Sequence, residues 1–191
     1  MLALVAVVLA VPAAAADNQI RPYFGATFSG GTTFVDLEKA AGKLNPVVGV
    51  SVVTLGDMFG FEGDLGDAPG FFQAGNQHLV LSSRVTTVTG NVVIAAPRKL
   101  TEYSLRPYIV AGGGLMRARI DDYFGVLKVS RVLPGFDVGV GALGFLTGDV
   151  GITWDVRRFQ SISGSTEERG VTFGHERLSF WRASMGLVVR Y

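Results

Sequence analysis

The chain of 191 residues is 48% hydrophobic and only 17% charged, with 26 Gly, 13 Phe and no Cys, which excludes a disordered polypeptide and a disulfide-stapled domain. Seventeen Lys and Arg against sixteen Asp and Glu leave a formal net charge of +1. No basic surplus is available to neutralise a run of phosphates, so nucleic acid is not an expected partner.

Residues 2–11 form an apolar block of the length of a secretory h-region, followed by Pro12 and by small residues at Ala14 and Ala16. This predicts a signal peptide over residues 1–16, Sec-type export and a mature chain over 17–191, although no Lys or Arg precedes the apolar block as such leaders usually require. Beyond residue 16 no apolar run reaches the ~18 residues of a membrane helix. High apolar content without a spanning helix points to β-structure in lipid.

Period-two alternation punctuated by Gly-rich turns predicts strands over 19–29, 45–55, 58–67, 78–95, 106–119, 133–146, 150–161 and 177–191. Most are near the nine to eleven residues, roughly, that a tilted membrane strand needs. In the third strand Phe59, Phe61 and Leu65 oppose Glu62 and Asp64. The fourth is less decisive, with a bulge expected near Thr89-Gly90-Asn91. The Gly112-Gly113-Gly114 run of the fifth lacks a following Gly-Lys-Ser/Thr and reads as close strand packing. In the sixth, Phe136, Val138 and Val140 oppose Asp137, Gly139 and Gly141. In the seventh, Ile152, Trp154 and Val156 oppose Thr153, Asp155 and Arg157. In the eighth, Trp181, Met185, Leu187 and Val189 oppose Arg182, Ser184, Gly186 and Arg190.

Connection lengths alternate too. Gly56-Asp57 and Thr147-Gly148-Asp149 have tight-turn chemistry, whereas 30–44, 68–77, 120–132 and 162–176 are longer and more polar. Short turns on one rim and long loops on the other predict an all-β, antiparallel up-and-down transmembrane barrel of eight strands. The connection from Ala96 to Leu105 is too long for a tight turn and keeps ten strands open.

Periodicity alone does not say which face meets lipid, since a soluble lipocalin-type barrel alternates in the same way around an apolar interior. Facing the apolar set outward places Arg21, Glu62, Asp64, Arg117, Arg119, Asp137, Asp155, Arg157, Arg182 and Arg190 in the lumen, where opposite signs pair across it. Trp181 and Tyr191 then stand on one face of the last strand, about 33 Å apart along extended chain or about 25 Å after tilting, the height of an apolar band with an aromatic girdle at each edge. Trp154 joins that girdle, with Tyr108, Phe24, Phe28, Phe59 and Phe61 as further candidates.

Ser184, Gly186, Val189 and Tyr191 resemble the polar-x-Gly-x-x-hydrophobic-x-aromatic β-signal of outer-membrane proteins. With the leader, strand number and loop asymmetry, residues 17–191 resemble the small OmpA/OmpX-like and opacity-type barrels. The resemblance implies residence in the bacterial outer membrane, contact with its lipid and recognition by the barrel-assembly machinery; unlike full-length OmpA, the chain is expected to carry no peptidoglycan-binding domain after Tyr191.

Eight strands enclose an interior just wide enough for side chains, so general diffusion is not expected. With no Cys and two histidines as candidates for catalysis, the expected role is non-enzymatic: envelope integrity, or binding of an extracellular partner through the outer loops. No cofactor, metal site or catalytic residue is expected. The alternatives are a lipid-A-modifying enzyme using His175, with His78 as the other histidine, and a soluble barrel binding a hydrophobic ligand. Against the enzyme, His175 and Ser179 stand about 13 Å apart along a strand, too far for a direct hydrogen bond.

Overall fold

The computed structural model describes residues 17–32, 44–71, 80–101, 105–122, 128–162 and 178–191. The strands are β1 (Asp17–Thr32), β2 (Asn45–Leu55), β3 (Phe59–Pro69), β4 (Val80–Ala95), β5 (Arg106–Asp122), β6 (Lys128–Phe145), β7 (Val150–Ser161) and β8 (Leu178–Arg190). All pair antiparallel with their chain neighbours, and β1 closes on β8 to give one eight-stranded barrel. Between β4 and β5 the described residues hold a single helical turn, α1 (Arg98–Thr101), and no further strand, so the barrel has eight strands and not ten.

Closure leaves no backbone edge unpaired, the condition for a sheet to stand in lipid. Alternation does the rest. Ile20, Phe24, Val52, Phe61, Leu65, Val92, Ile109, Val138, Val140 and Leu187 point outward and are exposed, a continuous apolar surface far larger than a water-soluble monomer carries. The opposite face of the same strands holds buried Arg21, Glu62, Asp64, Asp137, Arg157 and Arg182. An apolar exterior around a charged interior is the reverse of a lipocalin-type barrel, and it rules out the soluble alternative.

The Asp17 and Arg190 ends of β1 and β8 lie at the rim that carries the short β2–β3 and β6–β7 turns. In the first turn the Gly56 amide donates to the Phe59 carbonyl at 2.8 Å; in the second the Val150 amide donates to Thr147 Oγ1 at 3.0 Å. In outer-membrane barrels this is the periplasmic rim.

At the opposite, outer rim the strands differ in length. β2 and β3 have 11 residues each, whereas β4, β5 and β6 have 16, 17 and 18. A tilted span needs only about 9–11 residues. Pairing continues to Val80↔Asp122 and to Asp121↔Lys128, so much of the loop expected at 120–132 is ladder. The three strands build a wall that extends beyond the apolar band on one side. No bulge occurs at Thr89–Asn91, where pairing runs unbroken through Gly63↔Gly90 and Gly90↔Gly113; the irregularity of β4 lies between Val80 and Ser82.

Candidate functional site

The lumen is filled in three layers. Toward the outer rim, Val47, Phe71, Val85, Met116, Leu133, Phe159 and Phe180 form an apolar cluster, with Phe180 stacked on Phe159 at 5.0 Å and edge-on to Phe71 at 5.1 Å. Toward the periplasmic rim, Val53, Leu55, Val93, Tyr108, Val110, Leu143 and Val188 form a second. Between them lies a belt of charge.

In the belt, Arg157 pairs with both oxygens of Glu62, the Nη2 contact measuring 3.1 Å, and donates to Asp155 at 3.1 and 3.2 Å. Asp137 stands 3.8 Å from Arg157 Nη1. Arg182 grips Asp64 through two hydrogen bonds of 2.9 and 3.2 Å and donates to the Tyr23 hydroxyl at 2.6 Å. Ser184 Oγ and Asn91 Nδ2 donate to Asp155 and Glu62 at 2.9 and 3.0 Å. Arg21 stands apart: it donates to Gln19 Oε1 at 2.6 and 3.0 Å, lies over the Tyr108 ring and makes no ion pair among the described residues. The other charges of the belt are held in the dry interior by pairing and hydrogen bonding.

Two tyrosines missed by sequence reasoning help build the belt. Tyr23 sits directly across from Gly49 and Tyr108 across from Gly141, and a Cβ on either glycine would strike the tyrosine ring. Tyr108 is therefore not a girdle residue. It shares the inward face of β5 with Val110 and Met116, its hydroxyl 3.0 Å from Thr153 Oγ1 and donating to Asp155 at 3.3 Å. The signal was available in the pairing of a large aromatic with a glycine on the next strand.

Three of the ten expected lumen charges lie elsewhere. Arg117 and Arg119 are exposed, on the outward face that Ile109 and Leu115 occupy lower in β5. They stand on the wall beyond the apolar band, where outside means water and charge costs nothing. Arg190 has inward parity but lies at the periplasmic mouth, over the Phe145 ring, donating to the Gly148 carbonyl at 3.1 Å and pairing with Asp17 at 3.1 Å. Asp17 also takes Arg98 of α1 at 2.7 Å, so one carboxylate ties β1, β8 and the β4–β5 connection together.

Trp154 and Tyr191 face outward and are exposed, and Trp181 is half-buried beneath Arg158, whose guanidinium lies 5.4 Å from the ring centroid. Of the Ser184, Gly186, Val189 and Tyr191 pattern, the first two face the lumen and the last two the exterior. His78 and His175 lie outside the described residues; Ser179 is a half-buried β8 residue paired with Gln160 and Gly31.

The outer wall carries a cluster of arginines. Arg84 lies directly across from Arg119 in the β4–β5 ladder, and Arg117 follows on the same outward face. Against these three cations, Asp67 approaches Arg84 Nε at 3.5 Å and Arg117 donates to Ser130 Oγ at 3.4 Å.

A family model for the outer membrane protein beta-barrel domain matches residues 1–180. No curated protein sequence matches the chain. Among solved structures, the chain is similar to Neisserial surface protein A at 14% identity and a TM-score of 0.65, over 92% of this chain and 97% of that one. Pseudomonas aeruginosa OprG follows at 14% identity and 0.55, over 93% and 96%. Ail, the attachment invasion locus protein of Yersinia pestis, solved with the heparin analogue sucrose octasulfate, is similar at 14% identity and 0.53, over 91% and 99%. At such identities these likenesses speak for the fold. With the family match over nearly the whole sequence and the lipid-facing exterior described above, the chain belongs to the outer membrane protein β-barrel family and resides in the bacterial outer membrane.

Proposed function

We propose that the protein is a non-enzymatic surface barrel, closed to diffusion, that anchors in the outer membrane and offers its outer wall and loops to an extracellular partner rich in anionic groups. The observation that carries this reading is the Arg84, Arg117 and Arg119 cluster on the β4–β6 wall. Like charges directly opposite on neighbouring strands are destabilising. Ion pairs within the described residues leave the cluster with a cation surplus, which suits an external polyanion such as a sulfated or phosphorylated glycan. The similarity to Ail, which was solved with a heparin analogue, supports the same ligand chemistry. The layered lumen supports closure, since an eight-stranded interior is only wide enough for its own side chains.

The test is binding of the purified barrel to immobilised heparin across a salt series, beside an Arg84→Gln/Arg117→Gln/Arg119→Gln variant. The expected result is salt-sensitive retention that the triple variant loses. Equal retention of both proteins would remove the wall as the binding surface.

A further inference from the structure

The periplasmic rim carries a feature that the surface-binding reading does not use. A groove of about 840 Å³ opens there between α1 and the β6–β7 turn. Its floor crosses the neighbouring ends of β5, β6 and β7, where Arg106 pairs with Leu143 and Leu143 with Thr153. One part of its lining is apolar. Leu105 and Leu146 are exposed, and Ile152 and Trp154 belong to the outward face of β7 that continues into the lipid-facing band. The other part is cationic: among the described residues Arg98, Lys99, Arg106 and Arg190 line the groove, and no carboxylate does.

Arg106 is held by the Ala96, Gly56 and Asp57 carbonyls, at 2.7, 3.3 and 2.5 Å, whereas Arg98 and Arg190 depend on a single acid. Asp17 is shared between Arg98 and Arg190. Arg98 Nε and Arg190 Nε are buried donors with no acceptor. Lys99 is exposed and makes no ion pair among the described residues. The described charges lining the groove are all positive, so an anion placed here gains charge-assisted attraction. A free anion would leave the apolar walls unused. An amphiphile would occupy both.

We propose that this groove holds an anionic phospholipid of the periplasmic leaflet, its phosphate beside Arg98 and Lys99 and an acyl chain along Leu146, Ile152 and Trp154. The inference rests on the membrane orientation given above and is independent of any outer-surface partner. Charge complementarity selects the headgroup, and continuity of Ile152 and Trp154 with the lipid-facing band selects a lipid over a soluble anion.

The test uses the full barrel in nanodiscs of equimolar phosphatidylglycerol and phosphatidylcholine, with retained lipid read by native mass spectrometry after detergent release. Phosphatidylglycerol is expected to be retained several-fold over phosphatidylcholine, falling to parity in Arg98→Gln/Lys99→Gln. Lys99→Gln alone breaks no described contact and should also lower the ratio, which guards against loss through misfolding. Arg158→Gln, toward the other rim, should leave it unchanged. Parity in the unaltered protein, or an equal fall in the outer-rim variant, overturns the site. Abolition of the preference by inorganic phosphate overturns the lipid in favour of a bare anion. Gel mobility with and without boiling separates the two levels of the argument: a heat-dependent shift without lipid preference removes the groove alone, and no shift removes the membrane barrel with it.

Discussion

The inside and the outside of this barrel are both shielded from water, and they meet that condition in opposite ways. Outside, Phe61, Val138 and Val140 face hydrocarbon and need no partner. Inside, Arg157, Arg182, Glu62 and Asp64 are equally dry and survive only by pairing with one another. The exterior therefore depends on composition, and any apolar residue will serve. The interior depends on geometry, because these four charges are tolerated only while their particular counterparts stay in reach. Substitutions at the two surfaces should fail for different reasons and by different amounts.

Removing one member of the belt should have the largest effect. Arg157→Met leaves Glu62 and Asp155 buried without their guanidinium, and an expected loss of about 3–5 kcal/mol follows, read as a lower guanidinium midpoint for the barrel in lipid vesicles. On the exterior, Val140→Arg should cost about 2–4 kcal/mol in the same assay, provided Val140 lies near the bilayer midplane. A loss below 1 kcal/mol or so would mean that this face does not meet hydrocarbon.

The glycine opposite Tyr108 offers a packing test free of charge. A Cβ at Gly141 would meet the Tyr108 ring and lie 2.6 Å from the Trp154 carbonyl oxygen, so Gly141→Ala should cost about 1–3 kcal/mol. The contrast sharpens further when a pair is removed whole. Arg182→Met with Asp64→Leu is expected to lose much less than Arg182→Met alone, because no uncompensated charge remains. Equal losses would show that the interior values these side chains for shape. The smallest effect belongs to the wall: Arg119→Gln should shift the midpoint by less than about 0.5 kcal/mol, since the group is in water.

The strand pattern was legible because each residue of a barrel strand must choose between two dry environments of opposite character. Phe136, Val138 and Val140 fall on one face and Asp137, Gly139 and Gly141 on the other, and the structure turns the first set to lipid and the second to the lumen. The same logic misplaced Arg117 and Arg119. Beyond the apolar band the exterior is wet, so a charge no longer reports the inward face, and parity counted from Ile109 and Leu115 was the better guide. Nor was the height of the wall visible, because a ladder in water is free of the alternation that betrays one in lipid. Tyr108 was misread because an aromatic with a polar tip suits a membrane edge as well as a polar belt; only its glycine partner on β6 separates the two. The periplasmic groove was hidden for another reason. Arg98 and Leu105 come from one connection, Leu146 from another and Trp154 from a strand, and nothing in their spacing announces that closure brings them to one place.

The junction of β1 and β8 has a mechanical consequence. Their pairing begins at Gln19↔Arg190, beside the Asp17 clamp, and runs to Thr32↔Leu178. A force pulling Asp17 and Tyr191 apart therefore loads the ladder from one end. The bonds yield in succession, like a zipper, rather than sharing the load in shear. The Asp17 contacts with Arg98 and Arg190 and the Tyr191 amide bond to the Asn18 carbonyl carry the first of the tension, so this one corner sets the force at which the cylinder begins to open into a sheet.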